Sequence, residues 1–203
     1  MNISNSSCLE VFRYLAGVDL PEVDQLARFT SQCNLKAGER LFHSAEHKPF
    51  VYIVNRGVVK LVYETPAGDS WIKSFVGQGI CFASLTALQD KGLTSFSVYA
   101  LVDSVIEQVE YRALQQLADQ YIEWQRAISN AFKFYGQRKE QREMELLTLS
   151  PEERYLNFIQ QYAHLLPLIK QRDIASYIRI TPVALSRIRA RIKASGKISL
   201  LQK

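Results

Sequence analysis

Residues 180–195 read ITPVALSRIRARIKAS, in which Arg187, Arg189, Arg191 and Lys193 stand at every second position with no acid among them. Cations at this density either complement the carbonyl end of a helix, at about 0.3 to 1 kcal/mol each, or hold a polyanion through charge-assisted hydrogen bonds. Dipole complementation accounts for two of them; four point to nucleic acid. Residues four apart share a helix face, so Arg187 and Arg191 form one pair, and Arg189 with Lys193 a second pair about 200° around from it. Ser186 and Arg187 are placed to face a major groove, where an Arg donates twice to guanine O6 and N7. Arg189, Arg191 and Lys193 lie further along, in positions for phosphate contacts that give affinity without sequence preference. Arg172 and Thr181, at the starts of the two short helical segments here, join that phosphate set.

The charge of the whole chain is divided in the same sense. From Thr148 onward there are ten Lys and Arg against three acids, a surplus of +7, whereas 15 bases and 17 acids precede them. A basic quarter on an otherwise near-neutral chain is the footprint of a polyanion-binding unit. The rest of the composition, 47% hydrophobic and 22% charged, is that of an ordinary globular chain. No apolar run approaches the roughly 20 residues that span a bilayer, and MNISNSSCLEVF lacks the basic-then-apolar order of a secretory signal. The expectation is a cytoplasmic protein with no membrane partner.

The elements that must position these cations follow from periodicity. Two helical patterns cover roughly residues 7–16 and 21–31, the second opened by Pro21 after Asp19. From Leu41 the period becomes two: FVYIV, VVKLVYE, SWIKSFV, SFSVYAL and SVIEQVE, separated by turn signals such as Asn55-Arg56-Gly57 and Thr65-Pro66-Ala67-Gly68-Asp69. Short strands in succession without helices between them predict an antiparallel sandwich or barrel. After Glu110, Leu114, Leu117, Tyr121, Trp124, Ile128, Ala131 and Tyr135 recur at steps of three and four. Such a heptad stripe predicts a helix packed on its own domain or a dimer seam. We take Tyr121, Trp124, Ile128, Ala131 and Tyr135 as the dimer helix, with Asp119 a candidate break and Gly136 a local weakness.

A new unit starts at SPEERY, where Ser150 caps, Pro151 opens and Glu153 completes a capping box. That helix should reach about Ala163. Beyond Pro167 come Gln171–Ile178 and then Pro182 to about Ala194, capped by Thr181. Two helices on a three-residue turn in the basic quarter fit a helix-turn-helix, with Ile174, Ile178, Ile180, Leu185 and Ile188 inward and small Ala175 at the crossing.

With these segments in hand, the chain resembles the Crp/Fnr family of bacterial transcription regulators over nearly its full length. The resemblance is carried by SPEERYLNFIQQYAHLLP and QRDIASYIRITPVALSRIR, and by LKAGERLF and YIVNRGVVKLVYETPAGDSWIKSFVGQG. It implies an α+β fold: an N-terminal antiparallel β-roll of the cyclic-nucleotide-binding jelly-roll type, a long dimerisation helix and a C-terminal helix-turn-helix domain. The expected division is 1–118, 119–147 and 148–203. It implies a homodimer on double-stranded DNA, with half-sites about one helical turn (~34 Å) apart, acting on RNA polymerase.

The departures from the family pattern carry as much information. In its cyclic-nucleotide-binding members a Gly-Glu pair and an Arg ten residues later hold the ribose and the cyclic phosphate. Here QGICFASL puts Ala83 at the Gly and Ser84 at the Glu, and Thr94, followed by Ser95, stands at the Arg. A buried phosphate without a cation loses several kcal/mol of solvation, so these four residues are read as a degenerate effector pocket and cyclic AMP is not expected to act. In the family's E-x-x-S-R motif the acid is replaced by Val183, a candidate for a thymine methyl, while Ser186 and Arg187 remain as base readers. Arg179 stands where the turn usually has Gly, a strained position if φ is positive. Gly196-Lys197-Ile198 leaves little room for the usual wing hairpin.

Other chemistry has little support in the sequence. Cys8, Cys33 and Cys81 are scattered, read as reduced thiols, and do not supply the four ligands of an iron–sulfur cluster. His43, His47 and His164 give no haem pattern. His43-Ser44-Ala45-Glu46-His47 has the H-x-x-E-H form of some zinc peptidases, but it follows a strand pattern and precedes Lys48-Pro49, without the helix that such a site needs. No catalytic residue, metal site or cofactor is assigned. The alternatives kept are a cyclic-nucleotide-sensing regulator with an atypical pocket and, more remotely, a metal-dependent hydrolase.

Overall fold

The computed structural model describes residues 7–195. Helix α1 (Cys8–Ala16) opens on a capping box, in which Glu10 N–H donates to Ser7 Oγ and Ser7 N–H to Glu10 Oε2, and it stops at Gly17 in the left-handed region. Helix α2 spans only Val23–Ala27. The helical pattern expected to run to residue 31 gives way at Thr30 to strand β1 (Thr30–Leu35). Its side chains alternate too weakly for the period of two to be seen in sequence.

Seven further strands follow: β2 (Arg40–Phe42), β3 (Phe50–Arg56), β4 (Val58–Glu64), β5 (Ser70–Gly77), β6 (Cys81–Phe82), β7 (Ser97–Ala100) and β8 (Ser104–Glu110). They form two four-stranded antiparallel sheets, β1-β8-β3-β6 and β2-β7-β4-β5. Tyr52, Val54, Val59, Leu61, Phe96 and Ile106 are among the residues packed between them. The β3–β4 turn depends on Gly57, whose φ is +94° and where a Cβ would lie 2.2 Å from Ser104 Oγ.

Helix α3 (Tyr111–Gln120) leads into α4 (Ile122–Thr148), with an extended Tyr121 between them. The break thus falls two residues after Asp119, and α4 is continuous through Gly136. The C-terminal part contains α5 (Pro151–Gln161), a 3-10 turn (Ala163–Leu168), α6 (Gln171–Tyr177) and α7 (Pro182–Ala194). Ser150 and Glu153 form the expected capping box. This is the α+β architecture expected, a β-roll followed by helices.

The stripe expected to meet a partner helix is in part covered by α1 of the same chain: Trp124 is fully buried, its ring 5.8 Å from that of Phe12 and its Nε1–H donating to Pro21 O at 2.8 Å. Tyr121, Ile128 and Ala131 pack on the same cluster. A heptad stripe reports that a face is buried but not by which chain. A second face of α4, carrying Phe132 and Leu147 at 40% and 78% exposure, is left open.

Candidate nucleic-acid interface and sensor region

Helix α7 is built outward from its anchors. Thr181 caps it by accepting from Ala184 N–H at 3.2 Å, and Pro182 occupies its first turn. Leu185, Ile188 and Ile192 are buried against Ile174, Ala175 and Ile178, so the inner face is as the sequence predicts, with Ile180 partly buried beside it. The opposite face presents Val183, 62% exposed, with exposed Ser186 and Arg187. The three expected base readers therefore share one open surface.

The basic residues divide further than their spacing suggested. Arg191 Nε lies 2.9 Å from Glu152 Oε2 on α5, so the acid missing from the α7 sequence is supplied across the fold, and Arg191 is an ion-pair partner in the absence of any polyanion. Arg189 is half-buried beside the Tyr155 hydroxyl. Lys193 and Arg172 are exposed, Arg172 at 3.9 Å from Asp173. Gly196-Lys197-Ile198 lies outside the described residues.

The turn before α7 is held from the β-roll. Arg179 has φ +63°, the strained conformation foreseen for a residue at the Gly position, and its guanidinium stacks 3.9 Å over the Trp71 ring. Such a stack is worth about 0.5 to 1 kcal/mol, which offsets part of the strain. Close by, Lys60 Nζ pairs with Asp173 Oδ2 at 3.0 Å, and Ile72 N–H donates to Ser176 Oγ at 3.0 Å. Phe75 of β5 enters an aromatic cluster with Phe158, Tyr162 and Tyr177. Arg142 of α4 donates to Tyr177 O and lies 3.8 Å over its ring. Sequence periodicity had no means of announcing these contacts, because each joins residues far apart in the chain.

The residues expected to form a degenerate effector pocket bond to one another and to nearby backbone. Ser84 and Thr94 are buried, and their hydroxyls are occupied. Ser84 Oγ accepts from Ser95 N–H at 2.9 Å and lies 3.1 Å from Thr86 Oγ1. Thr94 donates to His43 O and accepts from Glu46 N–H at 3.0 Å. Ala83 borders a small apolar groove of ≈60 Å3 with Phe12, Phe82, Ile128 and Tyr135. His43 to His47 form a turn with Ala45 in the left-handed region, and His47 Nδ1 lies 3.0 Å from Gly92 O. No group of three or more His, Cys, Asp or Glu among the described residues could hold a metal. Burial pushes the thiols of Cys8, Cys33 and Cys81 up, away from the thiolate form.

On the β5 face toward α4 stands a residue that the sequence reading missed. Lys73 Nζ lies 4.9 Å from the Phe96 ring centre and 5.3 Å from that of Tyr135. Burial, with repulsion from Lys139 and Arg138, pushes its ammonium down to about 8. Its alternation in SWIKSFV was the only available signal, and that reads as an ordinary strand lysine.

Residues 32–121 match the cyclic nucleotide-binding domain family. No curated protein sequence matches the chain significantly. Among solved structures, FixK2 from Bradyrhizobium japonicum is 18% identical with a TM-score of 0.72, over 82% of this chain and 86% of that one. The c-di-GMP responsive global regulator CLP of Xanthomonas campestris is 13% identical with a TM-score of 0.67, over 86% and 91%. A CooA mutant from Carboxydothermus hydrogenoformans is 14% identical with a TM-score of 0.68, over 83% and 78%. The chain therefore has the fold of these proteins, a cyclic-nucleotide-binding-type β-roll followed by a long helix and a helical C-terminal part. No helix among the described residues is long and apolar enough to cross a membrane.

Proposed function

We propose that this chain is a sequence-specific DNA-binding transcription regulator that acts as a homodimer and does not respond to cyclic AMP. The observation that carries the reading is the open face of α7: Val183, Ser186 and Arg187 are exposed together on a helix anchored by buried Leu185, Ile188 and Ile192. Helices α6 and α7 serve as a helix-turn-helix. Arg187 reads guanine, Val183 meets a thymine methyl, and Lys193, Arg189 and Arg172 hold phosphates. Arg191 does so after exchanging Glu152 for the backbone, and Thr181 through its hydroxyl proton. Residues 1–118 form the sensor-like unit, 119–147 the dimer helix and 148–203 the DNA-binding unit. RNA polymerase is the downstream partner, and the protein works in the cytoplasm without enzymatic activity.

The dimer uses the second face of α4. Phe132, Gly136 and Leu147 lie on one side of that helix, and a Cβ at Gly136 would meet nothing within 4 Å, which leaves room for a second helix to approach. Cyclic AMP is disfavoured because Ser84 and Thr94 offer no charge and their hydroxyls are already engaged. The match to the cyclic nucleotide-binding domain supports a second reading, a nucleotide sensor with an atypical pocket. Genome-wide recovery of DNA bound to the protein tests the first reading: a small set of fragments sharing a two-fold-related sequence supports it, and recovery without sequence preference refutes it. Cyclic AMP added to the purified protein should leave its melting temperature and DNA affinity unchanged, and a shift in either favours the second.

A further inference from the structure

The turn between α6 and α7 carries a cation that the phosphate set does not include. Arg179 is exposed, and among the described residues no acid pairs with it. It differs in this from Arg191 and Arg172, each of which lies near an acid, and from half-buried Arg189. Its backbone has φ +63°, and its guanidinium stacks 3.9 Å over the ring of Trp71, itself 37% exposed. The stack at most offsets the strain of the positive φ, so stability alone does not account for an arginine here. A guanidinium that stacks by its face keeps its N–H donors in its own plane, where the ring does not cover them. The ring also limits the rotamers of the side chain, so an acceptor that meets those donors has less entropy to overcome. Trp71 is a firm platform. The next residue, Ile72, donates its N–H to Ser176 Oγ of α6 at 3.0 Å, and Lys60 Nζ of β4 holds Asp173 Oδ2 of α6 at 3.0 Å. The turn is closed by Arg179 N–H donating to Ser176 O at 3.2 Å and Ile180 N–H to Ala175 O at 3.0 Å.

We propose that Arg179, held on Trp71, is a further contact to the DNA backbone, so that a side chain of the β-roll positions a phosphate-binding cation. The proposal rests on the DNA-binding reading above and adds to it a residue that stands outside the family's usual pattern at this turn. A recognition helix enters the major groove with its first residues toward the base edges, which brings the turn before it to the rim of the groove, where the phosphates lie. Arg179 precedes Thr181, the cap of α7, by two residues and exposed Val183 by four. Phosphate oxygens accept from the outward edge of the guanidinium while the indole keeps its face, so the two partners do not compete. Arg191 must give up Glu152 to reach a phosphate, whereas Arg179 has no ion pair to exchange. Trp71 is a positioning residue: it acts through Arg179 and itself meets no DNA.

The test uses the purified full chain, a recovered genomic fragment and random DNA of the same length, with affinities measured from about 50 to 200 mM salt. Arg179→Gly relieves the positive φ, so this variant should fold, which its melting temperature checks. It should bind both DNAs more weakly by a similar factor, and the slope of log affinity against log salt should fall by about two for the dimer, one contact per subunit. Arg179→Lys, which keeps the charge, should retain that slope. Trp71→Leu should weaken binding in the wild-type background and have no further effect in the Arg179→Gly background. The proposal is overturned by an unchanged slope in Arg179→Gly, by a slope that falls as far in Arg179→Lys, by a loss confined to the genomic fragment, or by a Trp71→Leu effect of equal size in both backgrounds. Any of these results with a wild type that prefers the genomic fragment removes only this inference. A wild type that binds neither DNA, or both equally, removes the regulator reading on which it stands.

Discussion

Under the proposed reading Arg187 and Lys193 meet DNA in different ways, and each role has its own signature. A residue that touches only phosphate changes affinity on every sequence alike. Lys193→Gln and Arg172→Gln should therefore weaken binding equally on cognate and random DNA, and each should lower the salt dependence by about one counterion per subunit; a loss confined to one sequence contradicts the phosphate role. Arg191→Gln should have a smaller effect, because its gain from DNA is set against the lost pair with Glu152. Lys73 answers to pH. Its folded value, about 8, is below its ordinary 10.5, so between the two the unfolded chain holds a proton that the folded chain has released. Stability then rises as pH climbs from about 8 toward 10, above which the tyrosines with raised values, such as Tyr63 and Tyr135, act in the opposite sense. Lys73→Met should remove that rise and add about 1 to 2 kcal/mol at neutral pH, after allowance for partial exposure. Denaturant titrations at pH 7 and 9 decide it: an unchanged pH slope in the variant contradicts the assignment.

At the level of elements, α5 and the α6–α7 pair were legible because their signals are local. Ser150-Pro151 with Glu153 and Thr181-Pro182 write their helix starts in three or four residues, and the spacing of Ile174, Ile178, Leu185 and Ile188 writes the inner face. Strand β1 was not legible, since TSQCNL alternates weakly and gains its regularity only by pairing with β8. The stripe from Leu114 to Tyr135 was legible as an apolar face, but its partial cover by α1 was not, because α1 is more than 90 residues away in sequence and periodicity carries no partner information. The same gap hid the Arg179–Trp71 stack, which makes a quantitative prediction. Arg179→Gly relieves a positive φ, worth about 1 kcal/mol, but forfeits a stack of about 0.5 to 1 kcal/mol. It should be nearly neutral in the wild type and clearly stabilising once Trp71→Ala has removed the ring. A double-mutant cycle by urea denaturation measures this, and additive effects contradict the coupling.

At the scale of the whole molecule, one apolar cluster joins the β-roll to the C-terminal helices: Val58, Val62, Ile72 and Phe75 pack with Tyr155, Phe158, Tyr162 and Tyr177. The same cluster holds Leu185 and Ile188 of α7, so the placement of that helix is tied by packing to the β-roll. The second requirement for reading a two-fold DNA site is a second copy. Phe132→Asp, on the open face of α4, should yield a folded monomer by sedimentation and weaken DNA binding by about a hundredfold or more, since each half-site then binds alone; a variant that remains dimeric places the interface elsewhere. Whether the face of α7 reads sequence is decided by titrating wild type and Arg187→Ala against a recovered genomic fragment and against random DNA. The variant should bind the fragment at least about 30-fold more weakly, the equivalent of one lost bidentate contact of ~1 to 3 kcal/mol in each of the two half-sites, while its affinity for random DNA changes far less. Equal losses on both DNAs would contradict the account.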